Sequence, residues 1–264
     1  MNYGDKEFRT RKELFDWMVA NKQTLTAQKK AVMKQADGIS VINQVSKNET
    51  TDTTDRDEIN VKVVINTTNV MDSHKDVHIP GLWTKTLQEN KTIMLIQEHN
   101  LREFKYIIAN WKDVRPYTQS FTWQQLGYDL PGETEALVFD ATIRRDKNPE
   151  MFERYAKGDV FNHSVGMYYV KLIMCINDES YGAENEAWEK YFPMIANKEE
   201  AERLGYFWAV TEAKCIEGSA VPLGSNTFTP TLEVKGIEPG NHSTDIQMSR
   251  QKSALIERIE NFTF

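Results

Sequence analysis

A series of short β-type segments occupies the middle of this sequence, and it constrains the fold more than any other feature. The segments are rich in β-branched and aromatic residues, and turn residues such as Pro80-Gly81 and Pro131-Gly132 separate them. They are Ile59–Asn66, Thr92–Ile96, Tyr106–Ala109, Ala136–Ile143, Ser164–Ile176 and Phe207–Lys214. The pattern predicts a mainly β core.

Helical patterns precede and interrupt this β-type region. Apolar residues at mostly helical spacing predict a helix or a helix pair between Arg11 and Lys34. The segment Asn148–Gly158 has an Asn before a Pro at its start and a Gly at its end, which is typical of a short helix. Glu184–Leu204 is rich in Glu, Ala and Lys and predicts a helical insertion between two strands. The sequence therefore predicts an α+β fold.

Changes in composition divide the chain into three parts. The segment Gln44–Asp57 is dense in Thr, Asp and Asn, so we expect an N-terminal helical arm and linker at residues 1–57. Residues 58–234 form the predicted main domain, with the helical insertion at about residues 178–205. The remaining residues, 235–264, begin polar and end in a pattern for a short amphipathic helix, which predicts a C-terminal tail.

Charge and cysteine content exclude several classes of protein. The formal net charge of −7 argues against a surface that binds nucleic acid as a whole, because phosphate contacts need clustered Lys and Arg. The two cysteines, Cys175 and Cys215, indicate free thiols in a reducing compartment. The sequence has neither a signal-peptide pattern nor an apolar run long enough to span a bilayer, so we expect a cytosolic protein.

Ser164 and His99 are the candidate nucleophile and general base. A serine hydroxyl attacks a carbonyl only when a neighbouring base takes its proton. His99 follows a buried-type strand and opens a polar loop, and Ser164 begins a strand after a helix and a turn. Gly166 removes a side chain beside the serine, which allows a substrate backbone to approach. His163 would point to the opposite face of the strand, so we do not expect it to be the base.

A metal site is the main alternative that the residues suggest. His74 and His78 are four residues apart, with Asp72 and Asp76 beside them, and on a helix this spacing would converge on a metal ion. Pro80-Gly81 follows at once, and apolar residues alternate with His78. An extended segment or an exposed turn is therefore the favoured interpretation.

Four segments in a fixed order carry a resemblance to a known family. They are an Asp-rich turn before a Pro-Gly and a Trp, a strand that ends in His, a helix and Gly turn leading to Ser-hydrophobic-Gly, and a late strand with an acidic residue. They lie at residues 72–83, 93–100, 155–167 and 212–222, within a region of roughly residues 60–232. Together they resemble the prohead maturation proteases of tailed bacteriophages, which are similar in fold to the herpesvirus capsid proteases.

The resemblance implies a fold and a set of catalytic roles. The fold would be a mainly antiparallel β-barrel core with flanking and inserted helices. Ser164 would be the nucleophile of a serine endopeptidase and His99 its base, and a carboxylate of the late strand would orient the imidazole. Glu212 and Glu217 are the two acids of that strand, and, five residues apart, they would face opposite sides of a regular strand. We expect Glu217 to be the third catalytic residue, with Glu212 as the alternative.

Oxyanion stabilisation and partners follow from the same resemblance. The backbone amides of Val165 and Gly166 are the nearest candidate donors to the oxyanion. The implied substrates are scaffold and capsid-precursor polypeptides, and the enzyme would act in the host cytoplasm inside the assembling prohead. Self-cleavage and a homo-oligomer are compatible with this hypothesis, and no cofactor, metal, nucleic acid or membrane is required. The alternatives are a non-catalytic capsid or scaffold component with the same fold, and a metal-dependent hydrolase that uses His74 and His78.

Overall fold

The computed structural model describes residues 2–34 and 57–236, and these residues form helices together with β-sheets. The helices are α1 (Arg11–Ala20), α2 (Lys22–Ala31), α3 (Thr84–Glu89), α4 (Pro149–Ala156), α5 (Gly182–Tyr191) and α6 (Lys198–Leu204). The strands are β1 (Asn2–Tyr3), β2 (Lys6–Glu7), β3 (Glu58–Thr67), β4 (Asp76–His78), β5 (Leu95–Gln97), β6 (Ile107–Ala109), β7 (Val114–Thr122), β8 (Glu133–Arg144), β9 (His163–Ile176), β10 (Tyr206–Ala220) and β11 (Thr231–Lys235). The predicted α+β class is confirmed.

Two main sheets make up the β structure, beside a small hairpin of β1 and β2. One is a four-stranded antiparallel sheet with the order β11-β3-β8-β7. The other is built around β10, which pairs antiparallel with β9 on one side and parallel with β4 and β5 on the other, and β6 pairs with β5. Within the described residues neither sheet closes, so the expected barrel is not confirmed and the second sheet is mixed rather than antiparallel.

The largest hydrophobic cluster lies where the two sheets face each other. It includes Ile65 and Phe139 from the four-stranded sheet, Val165 and Cys215 from the second sheet, and Phe152 from α4, all at most 4% exposed. Side chains alternate between the two faces of a strand, so burial of one face fixes which residues of β9 and β10 point away from the core. The residues of the candidate site lie on that other face.

The predicted helices of the N-terminal arm and of the insertion are confirmed. Helix α1 begins after Thr10, whose hydroxyl accepts a hydrogen bond of 3.2 Å from the Glu13 amide. The α1 and α2 side chains Leu14, Phe15, Met18 and Leu25 pack in a second cluster with β10 and with the insertion helices α5 and α6. Helix α6 ends at Leu204 and is followed by the capping residue Gly205, which has a φ of 74°. The arm is thus packed on the second sheet.

Helix α4 delivers the chain to β9, as its sequence signals predict. The Asn148 side chain accepts a hydrogen bond of 3.1 Å from the Met151 amide, and Pro149 occupies the first helical position. Gly158, with a φ of 74°, follows the helix. The chain then enters β9 at His163, one residue before Ser164.

A bulge in β10 changes which of its residues face the core. Cys215 pairs with Met167 and Glu217 with Gly166, so Ile216 is an extra residue on β10. Before the bulge Ala213 and Cys215 lie in the main cluster, whereas after it Ala220 does, and a Cβ on Gly218 would meet Phe139 and Ile65. The bulge therefore turns the side chains at 217 and 219 away from the core.

Parts of the predicted organisation fall outside the described residues. These are the linker Gln44–Asp57, apart from its last residue, and the helix pattern at the end of the C-terminal tail. In the regions that the structure does describe, no helix is long and apolar enough to cross a membrane.

Candidate active site

A tight turn after β5 places His99. Glu98 and His99 both have positive φ angles, 50° and 56°, and the Asn100 amide donates a 3.0 Å hydrogen bond to the Gln97 carbonyl. This is the φ pattern of a type I′ turn, which normally uses Asn, Asp or Gly. Left-handed backbone costs other residues about 1 kcal/mol or more each, and such strain is concentrated at functional sites. The turn folds the imidazole back over the adjacent strand, β10.

The imidazole of His99 contacts the carboxylate of Glu217. Nδ1 of His99 and Oε1 of Glu217 are 2.6 Å apart, and the Glu217 side chain is fully buried. A carboxylate accepts hydrogen bonds, so in a neutral imidazole this contact favours the tautomer with the proton on Nδ1 and the lone pair of a base on Nε2. The expectation that Glu217 lies at His99 thus agrees with this contact, and its catalytic role stays a prediction.

Ser219 links the same two residues from the middle of the site. Its hydroxyl donates a 2.8 Å hydrogen bond to Oε2 of Glu217 and accepts one of 3.0 Å from the His99 amide. Both carboxylate oxygens of Glu217 are therefore engaged, and the strained turn is tied to β10. Sequence analysis did not identify Ser219, because a Ser two residues after a Glu is common and carries no signal of its own.

Ser164 lies on β9, directly across from Ser219 on β10. His99 reaches Ser219 from the other side of β10, so three neighbouring strands or strand ends bring Ser164, Glu217 and His99 to one region. Ser164 is 6% exposed. In the described chain no hydrogen bond joins the Ser164 hydroxyl to the imidazole, and the predicted bond between them stays a prediction.

Gly166 makes room for the carboxylate. It pairs with Glu217, and a Cβ built on Gly166 would overlap Oε1 and lie 2.7 Å from the Glu217 Cδ atom. Real Cβ atoms are not found so close to other heavy atoms, so any side chain at 166 would displace Glu217. Sequence analysis assigned Gly166 to substrate approach, and the structure gives it this second role.

His163 faces away from the site, as the alternation of strand side chains predicts. Its Nδ1 donates to the Thr229 carbonyl oxygen at 3.1 Å, and its Nε2 accepts from the Tyr155 hydroxyl at 2.9 Å. Burial lowers the pKa of His163 to about 4. The ring is therefore neutral at neutral pH and is engaged elsewhere.

The backbone amides around Ser164 point in alternate directions. The His163 amide donates to Thr229 Oγ1 and the Met167 amide to the Lys34 carbonyl, so both point away from β10. By alternation the Val165 amide points the same way, whereas the Gly166 amide points toward β10. Of the two predicted oxyanion donors, Val165 is therefore the better placed.

The loop at Gly224, which follows β10, also approaches Ser164. A Cβ built on Gly224 would lie 3.7 Å from the Ser164 Cβ and 2.9 Å from the His163 carbonyl oxygen. The loop is held by Asn226, whose side-chain amide donates to the Thr67 carbonyl oxygen at 3.0 Å. Its amides are additional candidates for the oxyanion donors.

Glu212, the alternative third residue, lies elsewhere on β10. Its carboxylate pairs with Lys171 at 2.5 Å and with Lys85 at 3.5 Å. Hydrogen bonding to Lys171 is the main cause that lowers its pKa. We expected Glu212 and Glu217 to face opposite sides of a regular strand. The strand is not regular: Ile216 is an extra residue, so both side chains lie on the side away from the core.

The residues of the metal alternative are spread along an extended segment. His78 lies in β4 and its Nδ1 is 2.9 Å from the Asn66 side-chain amide nitrogen, so the extended interpretation is confirmed. The expectation of an exposed turn is wrong, because Asp72, Asp76 and His78 are buried. Asp72 accepts hydrogen bonds from the His74 and Asp76 amides at 2.9 and 3.0 Å, which closes a turn. In residues 2–34 and 57–236 no group of three His, Cys, Asp or Glu side chains could hold a metal ion.

Comparison with models of protein families, with curated proteins and with solved structures finds no match to this chain.

Proposed function

We propose that this chain is a serine endopeptidase that processes scaffold and capsid-precursor polypeptides during phage prohead maturation. The observation that carries the proposal is the 2.6 Å contact between His99 Nδ1 and Glu217 Oε1, one strand away from Ser164. An imidazole oriented by a carboxylate, one strand away from a serine at a strand start, is the kind of arrangement that activates a hydroxyl for acyl transfer.

Each residue has a defined step in this reaction. Ser164 Oγ attacks the scissile carbonyl while its proton passes to His99 Nε2, and Glu217 stabilises the imidazolium that forms. The proton then moves to the leaving amine, which departs and leaves an acyl-enzyme. Water, deprotonated by His99, attacks the acyl carbon of the ester. The bond from that carbon to Ser164 Oγ then breaks, the acid product leaves, and the proton returns from His99 to Ser164. The Val165 amide is the proposed donor to the oxyanion.

The finer features of the resemblance belong to the same proposal. The two packed sheets would correspond to the closed core of the herpesvirus-protease-like fold. The enzyme would work in the host cytoplasm inside the assembling prohead, with its own termini as further substrates and with copies of itself as partners. The polar composition of the segments after Lys34 and after Gly236 would suit cleavage there.

A non-catalytic capsid or scaffold component is the second candidate. The observation that favours it is that, in the part of the chain described, the Ser164 hydroxyl makes no hydrogen bond to His99. Catalytic hydrogen bonds are often long without substrate and tighten only when it binds, so this observation does not outweigh the oriented imidazole. The two candidates predict different behaviour of one variant.

Replacement of the nucleophile tests the proposal. We expect purified wild-type protein to react with a fluorophosphonate probe and to process the co-expressed capsid precursor, whereas Ser164→Ala should do neither. Mass spectrometry of the labelled peptide and of the precursor fragments gives both results. Ser120→Ala, on the exposed side of β7, is the matched control and should behave as wild type. Equal processing by wild type and Ser164→Ala would contradict the protease function.

A further inference from the structure

The outer edge of β9, the edge away from β10, carries a short piece of the N-terminal arm beside Ser164. The Lys34 amide donates a 2.8 Å hydrogen bond to the Met167 carbonyl oxygen, and the Met167 amide donates one of 3.2 Å to Lys34. The bridge is antiparallel, so at Lys34 the chain runs toward the Ser164 end of β9. This is the way an extended peptide adds to a sheet edge.

The side chains of this piece reach features of the candidate site. The Met33 Cε atom would lie 2.7 Å from a Cβ on Gly166, so its methyl group fills the space beside the Gly166 backbone next to Glu217. The Lys34 ammonium lies over the Tyr169 ring, 5.5 Å from its centroid. An unbranched apolar side chain and a basic side chain therefore occupy consecutive positions on the edge.

The arm is held in this position from a distance. Lys29 of α2 forms a 2.5 Å ion pair with the fully buried Asp76, which also accepts a 2.8 Å hydrogen bond from the Tyr169 hydroxyl. Leu14 and Met18 of α1 are completely buried in the cluster that contains Trp208. These contacts anchor the two helices that precede Met33 and Lys34, independently of the contacts that Met33 and Lys34 make themselves.

We infer that the outer edge of β9 is the substrate-binding edge and that Met33 and Lys34 occupy it in the resting chain. The substrate is an extended polypeptide that adds antiparallel to β9, with an unbranched apolar residue followed by a basic residue at the two positions now filled. The inference rests on the proposed protease function for the role of the bound peptide. A tethered segment has an effective concentration of about millimolar, so the arm competes with substrate.

The register of the bridge relates the bound residues to the site of cleavage. Lys34 lies opposite Met167, and Ser164 is three residues before Met167. In an antiparallel ladder, a substrate with its basic residue opposite Met167 has the residue three positions further on opposite Ser164. Processed precursors should therefore carry an apolar–basic pair about three to four residues before the cleavage region.

A binding experiment tests the edge without relying on catalysis. All proteins carry Ser164→Ala, and the probe is a synthetic peptide with the sequence of residues 29–36. The release variant is Lys34→Pro, which removes the amide that donates to Met167, and its matched control is Lys34→Ala, which keeps that amide. A second pair is Met33→Asp, which places a carboxylate beside Glu217, and Met33→Leu.

We expect the peptide to bind the release variants Lys34→Pro and Met33→Asp at least tenfold more tightly than their controls. Hydrogen exchange should show that bound peptide protects the Met167 amide. Equal binding by a release variant and its control would overturn the inference, and so would the absence of binding to both release variants. Circular dichroism melting of each variant shows that the arm helices remain folded.

Activity measurements with an intact Ser164 separate this inference from the proposed function. We expect Lys34→Pro to lower KM for the capsid precursor about fivefold relative to Lys34→Ala, with kcat unchanged. If the precursor is cleaved and KM does not differ, competition by the arm is wrong and the protease function stands. If no chain cleaves the precursor and the peptide results hold, the protease function is wrong and the edge stands as a peptide-binding site.

Discussion

Gly166 and Glu217 face each other across β9 and β10, and the absence of a side chain at 166 is what allows the carboxylate to reach His99. Gly166→Ala should therefore displace Glu217, because the new methyl group would overlap its Oε1 atom. Overpacking of this kind costs about 1–3 kcal/mol of unfolding free energy. We expect that loss in urea denaturation, together with a fall in precursor cleavage of about 100-fold or more.

A double-mutant cycle identifies the cause of that loss. If the methyl group acts by colliding with Glu217, then Gly166→Ala should destabilise the Glu217→Ala protein by much less than it destabilises the wild type. Equal destabilisation in the two backgrounds would show that Gly166 is required for another reason.

Glu217→Gln tests the orientation of the base. The amide keeps the shape of the side chain but also presents a hydrogen-bond donor, so it no longer selects the tautomer with its proton on Nδ1. We expect kcat to fall by about 10³–10⁴, with circular dichroism unchanged. Glu212→Gln is the matched control, because Glu212 pairs with Lys171, and its kcat should remain within about twofold of wild type. A normal rate for Glu217→Gln would rule out this role.

The turn that presents His99 should be strained at Glu98. A φ of 50° is costly for Glu but is tolerated by Asn, so Glu98→Asn should raise the unfolding free energy by about 0.5–1 kcal/mol. Glu103→Asn is the control, because Glu103 has an extended φ of −133° and no strain to relieve. Thermal melting of the two variants measures the difference in stability. Equal stabilisation by Glu98→Asn and Glu103→Asn would show that the backbone at Glu98 is not strained.

Acid should destabilise the protein partly through His163. Its pKa is about 4 in the fold and about 6.5 in an unfolded chain, so the unfolded state binds the extra proton first as pH falls. Stability is complete above pH 6.5 and is lost progressively toward pH 4, by about 3 kcal/mol from this group. Burial lowers the pKa of His78 as well, which adds an effect of the same sign.

The measurement is the urea midpoint at several pH values between 7.5 and 4. His163→Gln should show a shallower decline with pH than wild type, because only the contribution of His78 and other groups remains. An identical slope in the two proteins would show that His163 does not titrate in this range.

The secondary structure of segments with clear sequence signals could be predicted. The secondary structure of segments that depend on tertiary contacts could not. The helix from Pro149 to Ala156 and the strands β3, β8, β9 and β10 follow local signals of capping and β-branched content. Strand β7, with Arg115 and Gln119 among its residues, mixes polar and apolar residues on both faces, and it pairs with β8 along its whole length. Whether the two sheets close into a barrel also depends on pairing between distant segments, which the periodicity of a sequence does not indicate.

In the candidate site, residue types were more predictable than orientation. Ser164 and His99 were identified from their sequence context and from a resemblance, Glu217 was identified from the resemblance, and the structure brings Glu217 to His99. The bulge at Ile216, which decides where Glu217 points, has no distinct mark in the sequence, because Cys-Ile-Glu is compatible with a regular strand. The positive φ of two residues without the usual Asn or Gly was likewise unpredictable.

Strand β10 has two structural roles within a single strand. Its first half, with Phe207 and Trp208, packs against the N-terminal arm and the helical insertion, and its last residues carry Glu217 and Ser219. Deleting one residue before the bulge, such as Lys214, would shift the residues after it by one position and turn Glu217 toward the core, while the first half kept its packing. The chain can therefore vary in length between β9 and β10, where the helical insertion lies, but not within β10 itself. Comparing proteins of this kind, we expect length differences to accumulate at residues 177–205 and to be absent from residues 206–220.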